Sequence, residues 1–241
     1  MEWRDEGVVI GIRRYGESSV IVEAMTRQHG RHLGLVRSAR SPRLQSVLQA
    51  GNTLGLVWRA RLDEQLGHFA VEPLTLRAGR LIDSAMALAG LAWLGALVRL
   101  LPERDAHEEI FVALTLIVEH LDAPDIAPPL LARFELRMLS ECGFRLDLDD
   151  CAATGARDDL IYVSPKSGRA VSAAAGAPYR ERLLPLPAFL REAGAAPGAD
   201  DLAGAFRLTR FFLERDLFGA RGLQLPDARR AFLAAALKRP A

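Results

Sequence analysis

The sequence predicts an α+β protein: a small β-barrel or sandwich, then an all-helical domain that carries a turn-rich hairpin insert. Three observations predict it. Residues 5 to 72 form five short apolar runs divided by glycine-bearing turns. Residues 77 to 142 change to helical spacing, with prolines at the breaks. Residues 143 to 182 give up both patterns for clustered Asp, Gly and Pro around one hairpin.

The strands are expected at Gly7–Arg14, Ser19–Thr26, Arg31–Arg37, Asn52–Leu62 and Gln65–Glu72, with Asp63-Glu64 as the last turn. Gly11, Gly34 and Gly55 inside them suit the bends that close a small barrel. Leu44–Gln49 reads as a short helix before the fourth strand. A helix over Leu81–Leu101 is stopped by Pro102. Asp105 and Glu108 form a capping-box pattern for a second, Ala106–Leu121. Pro128 and Pro129 open a third, Leu130–Glu141, which Gly143 ends. In it Arg133, Glu135, Arg137 and Glu141 spread over the side away from the core. The hairpin is expected at Leu160–Val163 and Ala170–Ser172, a short helix at Leu183–Glu192, and two closing helices at Leu202–Phe218 and Pro226–Lys238. The domains are expected at 1–76 and 77–241, with the insert at 143–182.

Half of the 241 residues are apolar, enough for a sizeable core. The net charge of +1 hides an asymmetry. Residues 1–61 carry ten arginines and five acids; residues 62–241 carry 21 bases and 25 acids. Two parts with different partners follow. Arginine outnumbers lysine 29 to 2 across the chain, so residue type alone makes no arginine a phosphate ligand. Two cysteines are too few for a disulfide framework, and the charged N-terminus is unlike a signal peptide. A cytoplasmic protein is expected. The apolar run 81–101 contains Asp83 and Arg99 and reads as a buried helix, not a membrane span.

No pattern builds a catalytic site, and a non-enzyme is expected. The glycine spacing of Gly11 to Ser18 puts Glu17 where a phosphate loop needs lysine. His29 and His32 lack further nearby metal ligands. Cys151 reads as a core cysteine, and Asp147, Asp149 and Asp150 as a solvated turn. Of the N-terminal aromatics, Trp3, Tyr15, Trp58 and Phe69 are each candidates for stacking on bases, against ordinary packing as the alternative.

The strongest signal is basic. Arg27, Arg31, Arg37, Arg40 and Arg43 fall between Thr26 and Leu44 with no acid among them. A strand that feeds a small-residue loop can present several guanidinium groups to one polyanion, and nucleic acid is the commonest such partner. Arg13 and Arg14 on the first strand join the candidate DNA-binding set. A solvated loop, an adaptor surface for an acidic protein and an RNA-binding barrel are the other readings.

The order of features resembles a known family. Its marks are Tyr15-Gly16-Glu17-Ser18-Ser19, Thr26-Arg27-Gln28-His29-Gly30-Arg31, Ala39-Arg40-Ser41 and Leu48-Gln49-Ala50-Gly51. Arg133-Phe134-Glu135-Leu136 with Leu139, Gly143-Phe144, and the Leu217 to Phe232 segment continue the match. The chain resembles the RecO family of bacterial DNA repair and recombination mediators. That resemblance implies an OB-fold barrel and a helical domain with a zinc-ribbon-like insert. It implies binding to single- and double-stranded DNA, annealing of complementary strands and help in loading recombinase. RecR and the acidic C-terminal tail of single-stranded DNA-binding protein are the implied partners, at a nucleoid-associated location. Arg133, Arg137, Arg207 and Arg210 are candidates for holding the tail. Many members of the family bind zinc through two Cys-x-x-Cys pairs. Here Cys151-Ala152-Ala153-Thr154 keeps one cysteine and Gly168–Gly176 has none, so an insert lacking its ligands, with no metal and no cofactor, is expected.

Overall fold

The structure, a computed structural model, describes residues 1–39, 41–192, 194 and 196–237. Its N-terminal strands are β1 (Glu2–Tyr15), β2 (Ser19–Thr26), β3 (Arg31–Val36), β4 (Thr53–Arg59) and β5 (His68–Thr75), with α1 (Pro42–Val47) between β3 and β4. They close into a barrel in the order β1-β2-β3-β5-β4. β1 is long enough to serve two neighbours. Glu2–Val8 pair with β4 and Gly7–Tyr15 with β2. A bulge between Val9 and Gly11 adds one residue where the strand passes from one partner to the other. β3 closes the circuit, antiparallel to β2 and parallel to β5 at Leu35 and His68.

The interior is filled by Val9, Val22, Val36, Leu54, Leu56, Trp58 and Phe69. Val47 and Leu48, at the end of α1, join this core and plug one end of the barrel. Gly34 serves close packing: a Cβ there would lie 2.4 Å from the Phe69 ring. β4 and β5 are displaced from their expected positions, because residues 60–67 form a longer connection than the Asp63-Glu64 turn. Within it Leu66 O accepts from Trp58 Nε1 at 3.1 Å.

Asn52 joins three elements. Its Nδ2 donates to Ser46 O and Val47 O, at 3.0 and 2.9 Å. Its Oδ1 accepts from Arg77 N and Ala78 N, at 2.8 and 3.0 Å, at the start of α2 (Ala78–Leu81). The residue is fully buried.

The apolar run after α2 is not one helix. It breaks at Ile82–Ser84, and α3 (Ala85–Val98) starts where Ser84 Oγ accepts from Ala87 N at 3.1 Å. α4 (Glu108–Glu119) follows without the expected capping box: His107 is its N-cap and no side chain caps it. No helix among the described residues is long and apolar enough to cross a membrane.

α5 (Ala127–Glu141) starts at its proline pair and ends before Gly143, whose φ is +88°. Glu135, expected on the solvent side, is fully buried and accepts a hydrogen bond from Thr209 Oγ1. The hairpin of β6 (Leu160–Val163) and β7 (Ala170–Ser172) forms as expected, followed by α6 (Ala173–Gly176). A third strand, β8 (Leu184–Pro185), pairs with β6 where a short helix was expected. α7 (Ala199–Phe212) runs into a π-helical turn, Leu213–Phe218, and α8 (Asp227–Ala236) closes the fold. Lys238, the expected end of that helix, lies outside the described residues.

The chain divides into two compact units. One is Met1–Pro124 with Ala228–Ala235; the other is Asp125–Asp227. The first three helices after the strands thus pack with the barrel.

Asn52→Ala leaves two carbonyls and two backbone donors without this partner. It is expected to lower the unfolding free energy by about 3 kcal/mol, measured by chemical denaturation.

Candidate nucleic-acid interface

The candidate DNA-binding arginines separate into two groups by their partners. Arg27 Nε donates to Glu6 Oε1 at 2.7 Å and its Nη1 to Glu108 Oε1 at 3.1 Å, while its guanidinium lies over Phe111. Arg31 Nη1 donates to Glu23 Oε1 at 2.9 Å and lies 3.4 Å from Glu103 Oε1. Arg99, from the end of α3, holds the other oxygen of Glu23 at 2.8 Å. Arg27 therefore ties its strand to α4 and Arg31 ties β3 to β2 and to the α3–α4 connection, and their charge is already matched. Gly30, between them, turns with φ +63° against the Asp105 backbone, where a Cβ would overlap the carbonyl oxygen.

Arg13, Arg14 and Arg43 are exposed and make no ion pair with any described residue. Arg37 is exposed too, and its Nη2 lies 3.0 Å from His68 Nε2. These four come from three elements, and the register gathers them at one end of the barrel. Arg14 is opposite Val20, and Val20 is opposite Val36, next to Arg37. Ala39 N donates to Ser18 O at 2.8 Å, which ties the loop after β3 to the β1–β2 turn. Ser38, with φ 54°, turns that loop toward α1, which carries Arg43. Arg40 lies in this loop but outside the described residues. A groove of about 410 Å³ opens at this end, between Ile12, Arg14, Glu17 and Val20 on the hairpin and Leu48 and Gln49 beside α1.

Burial sorts the aromatics. Trp58 and Phe69 are core residues, 0% and 4% exposed. Trp3 is stacked between His29, at 4.1 Å, and Trp58, at 5.7 Å. Tyr15, 56% exposed at the hairpin tip, alone of the four offers a free ring face. Inside the barrel, His32 is 3% exposed and neither ring nitrogen has a hydrogen-bond partner among the described residues. Burial, with the Arg104 and His29 charges, pushes its pKa from 6.5 down to about 4, against a smaller opposing pull from Asp63.

In the second unit, Arg133 Nε and Nη2 donate to Phe189 O at 3.0 and 2.6 Å, and Nη2 also to Glu192 O. Arg210 pairs with Glu214 one turn on, at 2.8 Å. Arg137 and Arg207 are exposed on α5 and α7, and Arg207 makes no ion pair with a described residue. Asp147 and Asp150 are held by Arg169, at 3.0 and 2.8 Å, so this acidic turn is cross-linked. Cys151 is buried, with Sγ 3.5 Å from Ser172 Oγ and accepting from Ser172 N at 3.3 Å. Burial raises its pKa, but hydrogen bonds from the Ser172 and Thr154 hydroxyls and the Ser172 and Ala153 amides prevail and bring it to about 6. One thiol amid hydroxyls does not fit a closed tetrahedral zinc site, and no group of three or more His, Cys, Asp or Glu among the described residues could hold a metal.

Two family models match the chain: "Recombination protein O N terminal" over residues 1–76 and "Recombination protein O C terminal" over residues 84–223. The chain belongs to the RecO family. Its relatives within RecO include proteins named DNA repair protein RecO from Methylocella silvestris, 60% identical over 99% of this chain and 97% of that protein, and Rhizobium johnstonii, 57% over 99% and 93%. A third, from Methylorubrum extorquens, is 55% identical over 97% and 98%. RecO membership places the chain among DNA repair and recombination proteins.

Folding holds His32 neutral. Stability is complete above pH 6.5 and is lost as pH falls from 6.5 toward 4, where the unfolded imidazole binds a proton that the folded one refuses. The loss reaches about 3 kcal/mol, and His32→Phe should remove that part of the slope, read by denaturation across pH.

Proposed function

We propose that the chain is a recombination mediator that grips DNA through the basic end of an OB-fold barrel, residues 1–76. It binds single and double strands and anneals complementary ones. The convergence of Arg13, Arg14, Arg37 and Arg43 on one end of the barrel, none of them in an ion pair with a described residue, supports this reading most strongly. Annealing makes and breaks no covalent bond. Two polyanions must be brought together with their bases left free. Guanidinium groups on the phosphates screen that repulsion and carry no sequence preference. Arg40, in the same loop, belongs to this set by its place in the sequence. Arg27 and Arg31 support the grip from behind by fixing the strands to α4 and to the connection that precedes it.

RecR, recombinase loading and the acidic tail of single-stranded DNA-binding protein complete the proposal as partners and role. The tail would meet the second unit, where Arg207 is exposed and has no ion pair with a described residue and Arg137 lies on α5. Arg133, bound to two carbonyls, would act by shaping the pocket, and Arg210 would first have to leave Glu214. The insert is proposed to be a zinc-ribbon remnant in which the hydroxyls of Thr154 and Ser172 replace lost cysteines around Cys151.

Two measurements test this. Arg37→Ala with Arg43→Ala should weaken binding to a labelled single-stranded oligonucleotide at low salt and flatten the log–log salt dependence by about 1.4. An unchanged slope would remove these arginines from the interface. Metal analysis of the purified protein should return well below one zinc per chain; a stoichiometric zinc would overturn the remnant.

A further inference from the structure

The barrel closes where β3 meets β5, and two basic side chains stand at that seam. Leu35 is opposite His68, and Leu35 N donates to Gly67 O at 3.0 Å, which fixes the first residue of β5 beside the end of β3. His68 and Arg37 are both exposed, and Arg37 Nη2 lies 3.0 Å from His68 Nε2. A guanidinium has donors only, so Nε2 is the acceptor and the ring proton of a neutral imidazole is on Nδ1. The contact therefore exists only while His68 is uncharged. No run of the sequence signals it, because the two residues are 31 positions apart.

The other charges around the seam do not pair with His68. Arg59, opposite it on β4, holds both carboxylate oxygens of Glu2, at 2.8 and 3.2 Å. Glu72, further along β5, lies over Gly55 of β4, where a Cβ would come within 2.7 Å of its Oε1. The connection before β5 carries Arg61, Asp63 and Glu64, and none of them makes an ion pair with His68. Arg104 reaches that connection too, but it donates to the carbonyls of Asp63 and Gln65. Ala70, exposed and two residues past His68, adds only a methyl group to this surface. Arg37 and the imidazole are thus left to each other and to solvent.

We infer that Arg37 and His68 form a proton-gated clamp for one DNA phosphate. The inference rests on the DNA-binding reading and deepens it by adding a titratable member to the basic set. While the imidazole is neutral, it holds the guanidinium against the ring. When it takes up a proton, Nε2 becomes a donor and the hydrogen bond is lost. Two neighbouring cations then repel each other, and Arg37 swings out. A phosphate oxygen that accepts from both groups relieves that repulsion with two charge-assisted hydrogen bonds. DNA and the proton therefore favour each other's binding by the same factor. Histidine is the side chain that changes charge near neutral pH, so the grip tightens in mildly acidic solution.

The test uses the full chain and labelled oligo(dT), with a salt series at pH 6 and another at pH 8. Both lie above the value of about 4 to which the His32 pKa is pushed. At 0.1 M salt the parent should bind about fivefold more tightly at pH 6, with a log–log salt slope steeper by about 0.7, the share of one phosphate contact on a single strand. His68→Gln can accept from Arg37 but cannot become charged; it should keep the parent's affinity at pH 8 and lose the gain at pH 6. His68→Lys, charged at both, should bind at pH 8 as the parent does at pH 6. A His68→Gln variant with the full gain, or a His68→Lys variant no tighter than the parent at pH 8, would overturn the clamp. A parent that binds with steep salt dependence, equally at both pH values, would overturn the clamp and leave the DNA-binding reading standing. A parent that binds no DNA at low salt at either pH would overturn that reading itself.

Discussion

Closure of the barrel is the constraint on which the rest depends. β3 has neighbours on both sides, antiparallel β2 and parallel β5, and Leu35 N donates to Gly67 O where the circuit shuts. A closed sheet leaves few strand edges to protect, so the chain can be short and still specify one register. It also sorts the side chains of β2 and β3 between an interior and an exterior. Val22, Gly34 and Val36 go inward, and Ile21, Leu33 and Leu35 go outward. The position of α1 follows from the same closure. The barrel end must be filled, and Val47 and Leu48 fill it, which brings Arg43 beside the loop after β3.

Charge is divided by neighbourhood and not by residue type. Arg27, Arg31 and Arg99 lie where carboxylates from other elements reach them, and they serve as ties between strands and helices. Arg13, Arg14, Arg37 and Arg43 lie where the described residues offer no such carboxylate. At comparable exposure a matched guanidinium has little left to offer an incoming phosphate, whereas an unmatched one contributes fully to the local potential. The set of unmatched arginines is therefore smaller than the basic stretch of sequence and includes two on β1.

The insert of the second unit is cross-linked by polar contacts. Arg169 grips Asp147 and Asp150, the backbone of Asp147 pairs with Gly168 and Ala170, and donors from two hydroxyls and two amides converge on Cys151.

The sequence by itself determined what local rules can carry. Alternation and glycine turns marked the strands of the barrel, and prolines and Gly143 marked the ends of α5. The family's marks and the missing cysteines could also be read directly, since each is a matter of residue type and spacing. Tertiary structure decided which side chains are free. The sequence stretch Leu81–Leu101 looks continuous, yet Ser84 caps a new helix, because helix starts are settled by a hydrogen bond and not by hydropathy. Glu135 reads as a surface acid until Thr209, 74 residues away, proves to be its partner. Arg31 and Arg37 are alike as letters, six positions apart. Only the fold places Glu23 and Glu103 against one and leaves the other exposed beside His68, because ion pairing depends on distances that the closing of the barrel creates.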